Sequence, residues 1–190
     1  MHTFEDDTAS AGRSPDDLRR AAFRDLHGSR LHGFALLVTL GDQALAARLA
    51  SDALAEGSAR AEQLSHPERA AAWLRQRIVR ASRGRLRDAP SSADRRRAAL
   101  ELLDTDAVAF AGLAALDVRE CAALVASAVE RLDRRDVATI VGVDGARLER
   151  LLHQANVRSI RSAGRAMDRY PPQDGPIAAR IRAIAERAMT

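Results

Sequence analysis

Apolar residues recur at three- and four-residue intervals along most of the chain, and no alternating run extends beyond a few positions. This is the period of amphipathic helices, and it predicts an all-α protein. Residues 1–16 read as a flexible acidic tail. From Pro15 to Ala59 the pattern predicts two or three helices, with Leu18, Ala22, Leu26, Leu31, Phe34 and Val38 at helical spacing. Gly41-Asp42 punctuates the run. Asp42 is placed to cap a helix striped by Leu45, Leu49 and Ala53, with Gly57 as its stop. The next helix, RAAAWLRQRIVRASRGRLRD, turns Ala70, Trp73, Leu74, Ile78 and Ala81 inward. Trp73, the single tryptophan, is expected as a buried core anchor. Residues 88–98 combine proline, serine and charge and read as a linker, so the first helical domain is placed at 17–87 and the second at 99–165.

The second domain begins with an apolar helical run broken near Asp104. Asp117-Val-Arg-Glu120 has the spacing of a capping box, and Asp133 is placed to cap a short helix, RRDVATIV. Then comes VGVDG at 141–145, two glycines inside good helical periodicity. Gly142 supplies a left-handed stop, Val143 packs inward, and Asp144 restarts the chain as a helix at a new angle. Three short helices with a tight turn between the last two predict a helix-turn-helix. Val137, Ala138 and Ile140 face inward on its first helix, and Leu148, Leu151 and Leu152 on its second. Gly145, Arg147, Glu149, Arg150, His153 and Gln154 are left outside. An ordinary packed helical hairpin has the same pattern and stays open at this point. Beyond Pro171-Pro172, residues 171–190 predict one more helix striped by Ile177, Ile181, Ile184 and Ala188.

Composition narrows the chemistry. The chain carries 30 basic residues and all are arginine, so a phosphate-binding loop of the Walker type and a Schiff-base lysine are both excluded. Ten of these arginines fall between residues 68 and 97 against three acids, a footprint shared by nucleic-acid binders and by solvated helix faces. Cys121 is the single cysteine and lies in an apolar run, where a small buried side chain is expected rather than a nucleophile. His27 and His32 miss the helical i, i+4 spacing of a metal pair, and no hydrolase motif occurs. No enzymatic activity, metal or cofactor is expected. The N-terminus is unlike a secretory signal and GFALLVTLG is too short to cross a bilayer, so a cytoplasmic protein without membrane insertion is expected.

Residues 116–155, LDVRECAALVASAVERLDRRDVATIVGVDGARLERLLHQA, resemble the fourth region of extracytoplasmic-function sigma factors. Leu116, Arg119, Glu120, Leu124, Val137, Ala138, Gly142, Val143, Leu148, Leu152, His153 and Ala155 fall in register with that family's pattern. The first half is similar, more loosely, to the family's second region: LHGFALLVTLGDQALAARLASDAL to its first helices, and ERAAAWLRQRIVRASRGRLR to the Trp-Leu helix that melts promoter DNA. Two departures stand out. Where the family has an acidic stretch that docks the polymerase clamp, this chain has Ala47, Arg48 and Ser51, and only Asp52 keeps its charge. In the recognition helix Glu149 and Gln154 stand where basic residues are frequent.

The resemblance implies an RNA polymerase sigma factor that binds core polymerase and promoter DNA, with an anti-sigma factor as a possible further partner. Gly145, Arg147, Arg150, His153 and Gln154 would then meet the major groove of the upstream element. Arg75, Arg80, Arg83 and Arg87 would hold phosphates of opened DNA, and Arg48, Ser51 and Asp52 would sit at the polymerase contact. The alternatives are a sigma-like regulator that has lost productive polymerase engagement, and a helical adaptor with no DNA role.

Overall fold

The computed structural model describes residues 14–85, 107–168 and 179. Its described elements are all helical: α1 Pro15–Val38, α2 Gln43–Ser58, α3 Pro67–Arg85, α4 Ala107–Ala114, α5 Val118–Leu124 running into a π-helical turn at Val125–Val129, α6 Arg134–Val141 and α7 Gly145–Met167. The expected linker at 88–98, the N-terminal tail up to residue 13 and, apart from the helical residue Ala179, the C-terminal segment 171–190 lie outside the described residues.

The helix ends follow local chemistry. Ser14 Oγ accepts the Asp17 amide at 3.2 Å, and Asp16 and Asp17 complement the positive end of α1. After α1, Leu40 and Gly41 both take positive φ (57° and 85°) and turn the chain to Asp42, whose Oδ1 accepts the Leu45 amide at 2.9 Å. Asp117 and Glu120 form the reciprocal capping box on α5. Gly57 departs from its expected role as a stop. It lies buried within the last turn of α2, where a Cβ would stand 2.7 Å from Leu74 Cδ2 and 3.0 Å from Phe23 Cε1. The glycine is there because two core side chains approach the α2 backbone closely.

Leu31, Phe34, Leu37, Leu49, Leu74 and Ile78 of the first half join Phe110, Leu113, Cys121, Val125, Ile140 and Leu148 of the second in one buried cluster. The expectation of two separately cored domains is therefore corrected: the halves share a core. The cause is visible on α3. Besides the stripe of Ala70, Leu74 and Ile78, it buries Ala72 and Val79, and it packs on α1, α2 and α6. A helix apolar on more than one side needs cover on more than one side, and α1 and α2 supply only part of it. Ala81, expected inward, is exposed. Cys121 lies in the shared core, its thiol 3.6 Å from the Leu37 carbonyl, and burial with Asp117 nearby pushes its pKa up to about 12, so it is a packing residue.

A smaller cluster of Val108, Ala111, Ala163 and Ala166 ties α4 to the second half of α7. The approach is close. Ser162 Oγ donates to the Ala111 carbonyl at 2.8 Å, and a Cβ on Gly112 would stand 2.7 Å from Ser159 Oγ. Gly57→Val, which forces two methyls against Leu74 and Phe23, is expected to cost about 1–3 kcal/mol by overpacking, measured as a lower urea midpoint with an unchanged m-value.

Candidate nucleic-acid interface

In α6 and α7 two helices are joined by a tight turn, with the caps that the sequence suggests. Asp133 Oδ1 accepts the Asp136 amide at 2.9 Å and starts α6. Gly142 ends it in the left-handed region (φ 70°, ψ 49°), with the amides of Gly142 and Val143 both donating to the Ala138 carbonyl. Asp144 Oδ1 then accepts the Arg147 amide at 2.8 Å and α7 begins. Leu148, Leu152 and Ala155 point into the core and Leu151 is half-buried.

Gly145, Arg147, Glu149, Arg150, His153 and Gln154 are all exposed. The structure brings these expected site residues together on the outer side of one helix. Two of the charges are engaged locally. Arg147 Nε lies 3.4 Å from Asp144 Oδ2, and Arg134 Nη1 lies 2.8 Å from Glu149 Oε1. Both pairs are well exposed, so each is worth under about 1 kcal/mol and yields readily to a stronger anion. Arg134 also offsets Glu149, the acid that stands on the otherwise basic surface. Behind the turn, Glu120 is buried and receives both the Asp117 amide at 3.1 Å and Arg158 Nη1 at 3.0 Å. That ion pair fixes α7 on α5 and so fixes the direction of the outer face.

The arginines expected on α3 divide differently. Arg75 is buried. Its Nε and Nη2 donate to Glu130 Oε2 and Oε1 at 2.7 and 2.6 Å, its Nη1 donates to the Ala71 carbonyl, and the guanidinium lies over the Phe34 ring. Arg83 is half-buried. Its Nη2 reaches the Val141 carbonyl at 3.4 Å, and its Nε is buried without a hydrogen-bond partner. The expected phosphate role of these two residues is corrected for this conformation: both are turned into the seam between the halves. The reason is the second apolar stripe of α3, which carries their aliphatic stems inward with it. Arg80 is exposed as expected, and Arg87 lies outside the described residues.

A different constellation occupies the open side of α3. Trp73, expected largely buried as a core anchor, is partly buried and packs against the core cluster, with the guanidinium carbons of Arg60 and Arg77 at 5.5 and 5.7 Å from its ring centroid. Glu56 holds both arginines, at 3.4 Å from Arg60 and 2.6 Å from Arg77. Trp73, Arg77 and Arg80 follow one another at i, i+4 and i+7 and share a face. Arg77 was legible from its spacing to the tryptophan, whereas Arg60 arrives from beyond the end of α2 and has no local signal. An aromatic ring edged by arginines can stack a base and hold a phosphate.

On α2, Arg48, Ser51 and Asp52 are exposed along one side, opposite the buried Leu45, Leu49 and Ala53. Among the described residues no group of three or more His, Cys, Asp or Glu could hold a metal, and no helix is long and apolar enough to cross a membrane. His27 packs against Phe23 with ring centroids 4.7 Å apart and the rings tilted by 57°, and burial with Arg75 nearby holds its pKa below the usual imidazole value. No protein-family model matches this chain, and neither the curated proteins nor the solved structures contain a match to it.

The two arginine classes should separate in stability measurements. Arg75→Ala leaves Glu130 without its partner and is expected to cost about 3–5 kcal/mol in urea unfolding. Arg80→Ala is expected to stay within about 0.5 kcal/mol of the parent.

Proposed function

We propose that this protein is a sigma-like transcription factor of the extracytoplasmic-function type, which binds core RNA polymerase and promoter DNA without enzymatic activity or cofactor. The observation that carries the reading is the helix-turn-helix at 134–167, with Arg147, Arg150, His153 and Gln154 together on the outer face of its second helix. Arginine side chains on such a face reach guanine O6 and N7 in the major groove and the flanking phosphates. The positive end of α7 and the exposed Arg134 and Arg135 beside the turn favour a phosphate at the same edge.

The second contact is the Trp73 face of α3, with Arg77, Arg80 and Arg60 in place of the buried Arg75 and Arg83. Stacking on a partly exposed indole is sequence-tolerant, and the arginines add the salt-dependent share of affinity. The exposed side of α2 at Arg48, Ser51 and Asp52 is the surface assigned to polymerase, and a protein with these partners works in the cytoplasm. An anti-sigma factor would compete for the same surfaces.

One observation favours a second reading. The arginine at position 48 faces solvent where the resembling family carries an acid, which inverts the local charge of the docking surface. On that reading the protein is a sigma-like regulator that binds DNA but has lost productive polymerase engagement. Both readings require DNA binding by α7. Arg147→Ala and Arg150→Ala are each expected to weaken duplex binding by about 1–3 kcal/mol where the side chain meets a base, and to lower the salt slope by about one unit where it meets a phosphate. Unchanged affinity and slope in both variants, measured by fluorescence anisotropy across a salt series, would remove α7 from DNA.

A further inference from the structure

A cleft of about 580 Å³ lies between the first half of α1 and the segment that joins α2 to α3. The helical period of α1 shapes one wall. Phe23 and His27, one turn apart, are buried, while Ala22 and Leu26, each one position earlier, stay at the edge, with Leu26 58% exposed. The joining segment returns past the same turns of α1 and supplies the other wall with Leu64 and Pro67. Arg19 Nη1 meets Glu62 Oε1 across the mouth at 2.9 Å. Neither Trp73 nor any residue of α7 lines this cleft.

Its polar feature is His27. The residue is 8% exposed and lines the cleft, yet its imidazole has no hydrogen-bond partner among the described residues. Buried polar side chains are normally paired, so one aimed unpaired into an apolar cleft marks where another molecule supplies the bond. Burial and the nearby Arg75 hold the His27 pKa below its ordinary value, and at neutral pH the ring is uncharged. A neutral imidazole offers one donor and one acceptor. A hydroxyl group, which also gives and takes, is its match. The charges of the lining are balanced: Arg19 is held by Asp16 at 3.1 Å and by Glu62 at 2.9 Å, and Glu62 sets a negative charge at the mouth. An anion or a cation entering here meets no unpaired opposite charge and loses its water.

We infer that the α1 cleft is a binding site for a small uncharged aromatic alcohol, its ring against Phe23, Leu26 and Leu64 and its hydroxyl on His27. The inference does not rest on the nucleic-acid reading, since the lining residues lie outside the faces assigned to DNA and polymerase. A bound ring also covers Leu26, an apolar side chain otherwise left in water.

The test is calorimetric titration of the full chain with three probes of similar shape: 2-naphthol, naphthalene and 2-naphthoate. 2-Naphthol is expected to bind one to one and roughly tenfold more tightly than naphthalene, the worth of one hydrogen bond to a buried group. 2-Naphthoate is expected to bind more weakly than 2-naphthol. His27→Phe keeps a ring and removes its polar atoms, so it should bring 2-naphthol down to the affinity of naphthalene and leave naphthalene unchanged. Leu26→Glu, at an exposed position where substitution spares folding, should weaken 2-naphthol at least about tenfold by placing a charge in the wall. Binding that never saturates at one site, or that both substitutions leave unaltered, reduces the contact to adventitious adsorption on apolar surface and overturns the inference. Tighter binding of 2-naphthoate overturns the ligand class. Oligothymidine should leave the affinity for 2-naphthol unchanged, and competition between the two would assign the cleft to nucleic acid instead.

Discussion

The ion pair of Arg75 and Glu130 is the constraint around which the two halves of this chain are arranged. Its side chains are 5% and 17% exposed, so both charges have left most of their water behind. A pair in that position is close to energetically neutral against a hydrophobic replacement, yet expensive to break from one side. Its value is in specificity. Arg75 has one direction in which its fork finds two carboxylate oxygens and the Ala71 carbonyl, and that direction fixes how α3 meets the turn before α6. Gln76 and Arg83 then fall on the carbonyl end of α6, and the second apolar stripe of α3 is covered. The shared core supplies the larger share of the stabilisation, since each fully buried aliphatic side chain is worth about 1.5–3 kcal/mol. The pair selects which packing that core adopts.

From this constraint follows the division of labour among the arginines. A chain with no lysine must use arginine both as a surface cation and as a structural donor. Arg75 and Arg83 act as donors, and Arg60, Arg77, Arg80, Arg147 and Arg150 remain at the surface. Burial by itself separates the groups: a guanidinium with a fixed carboxylate or carbonyl partner is not available to a phosphate, whereas one in an exposed local pair exchanges partners at little cost. Among the exposed or partly exposed arginines, these five lie on the outer side of α7 and on the Trp73 side of α3. These are the two places that the sigma-like reading proposes as nucleic-acid contacts.

How legible this was in the sequence depended on whether the cause was local. The all-helical class, the caps at Asp42, Asp117, Asp133 and Asp144, and the left-handed Gly142 were readable because each rests on side chains within a few residues. The outward set on α7 was readable for the same reason: Leu148, Leu151 and Leu152 leave few directions for the rest. The failures are tertiary. Gly57 has the spacing of a helix stop, but its cause is the approach of Phe23 and Leu74 from other helices. Ala72 and Val79 read as background beside the stronger Leu74–Ile78 stripe, and with them went the second face of α3. Arg75 then looked like one cation among many, because nothing near it in sequence announces a Glu130 partner 55 positions away.

On the sigma-like reading the molecule acts with polymerase at a promoter. Mixing purified protein with core RNA polymerase, isolating the complex by size exclusion, and assaying run-off transcription on a library of promoter fragments tests it most directly. Co-elution in a one-to-one complex and transcripts that start at a restricted set of fragments are expected. Separate elution with no transcript above that of core polymerase alone would contradict it.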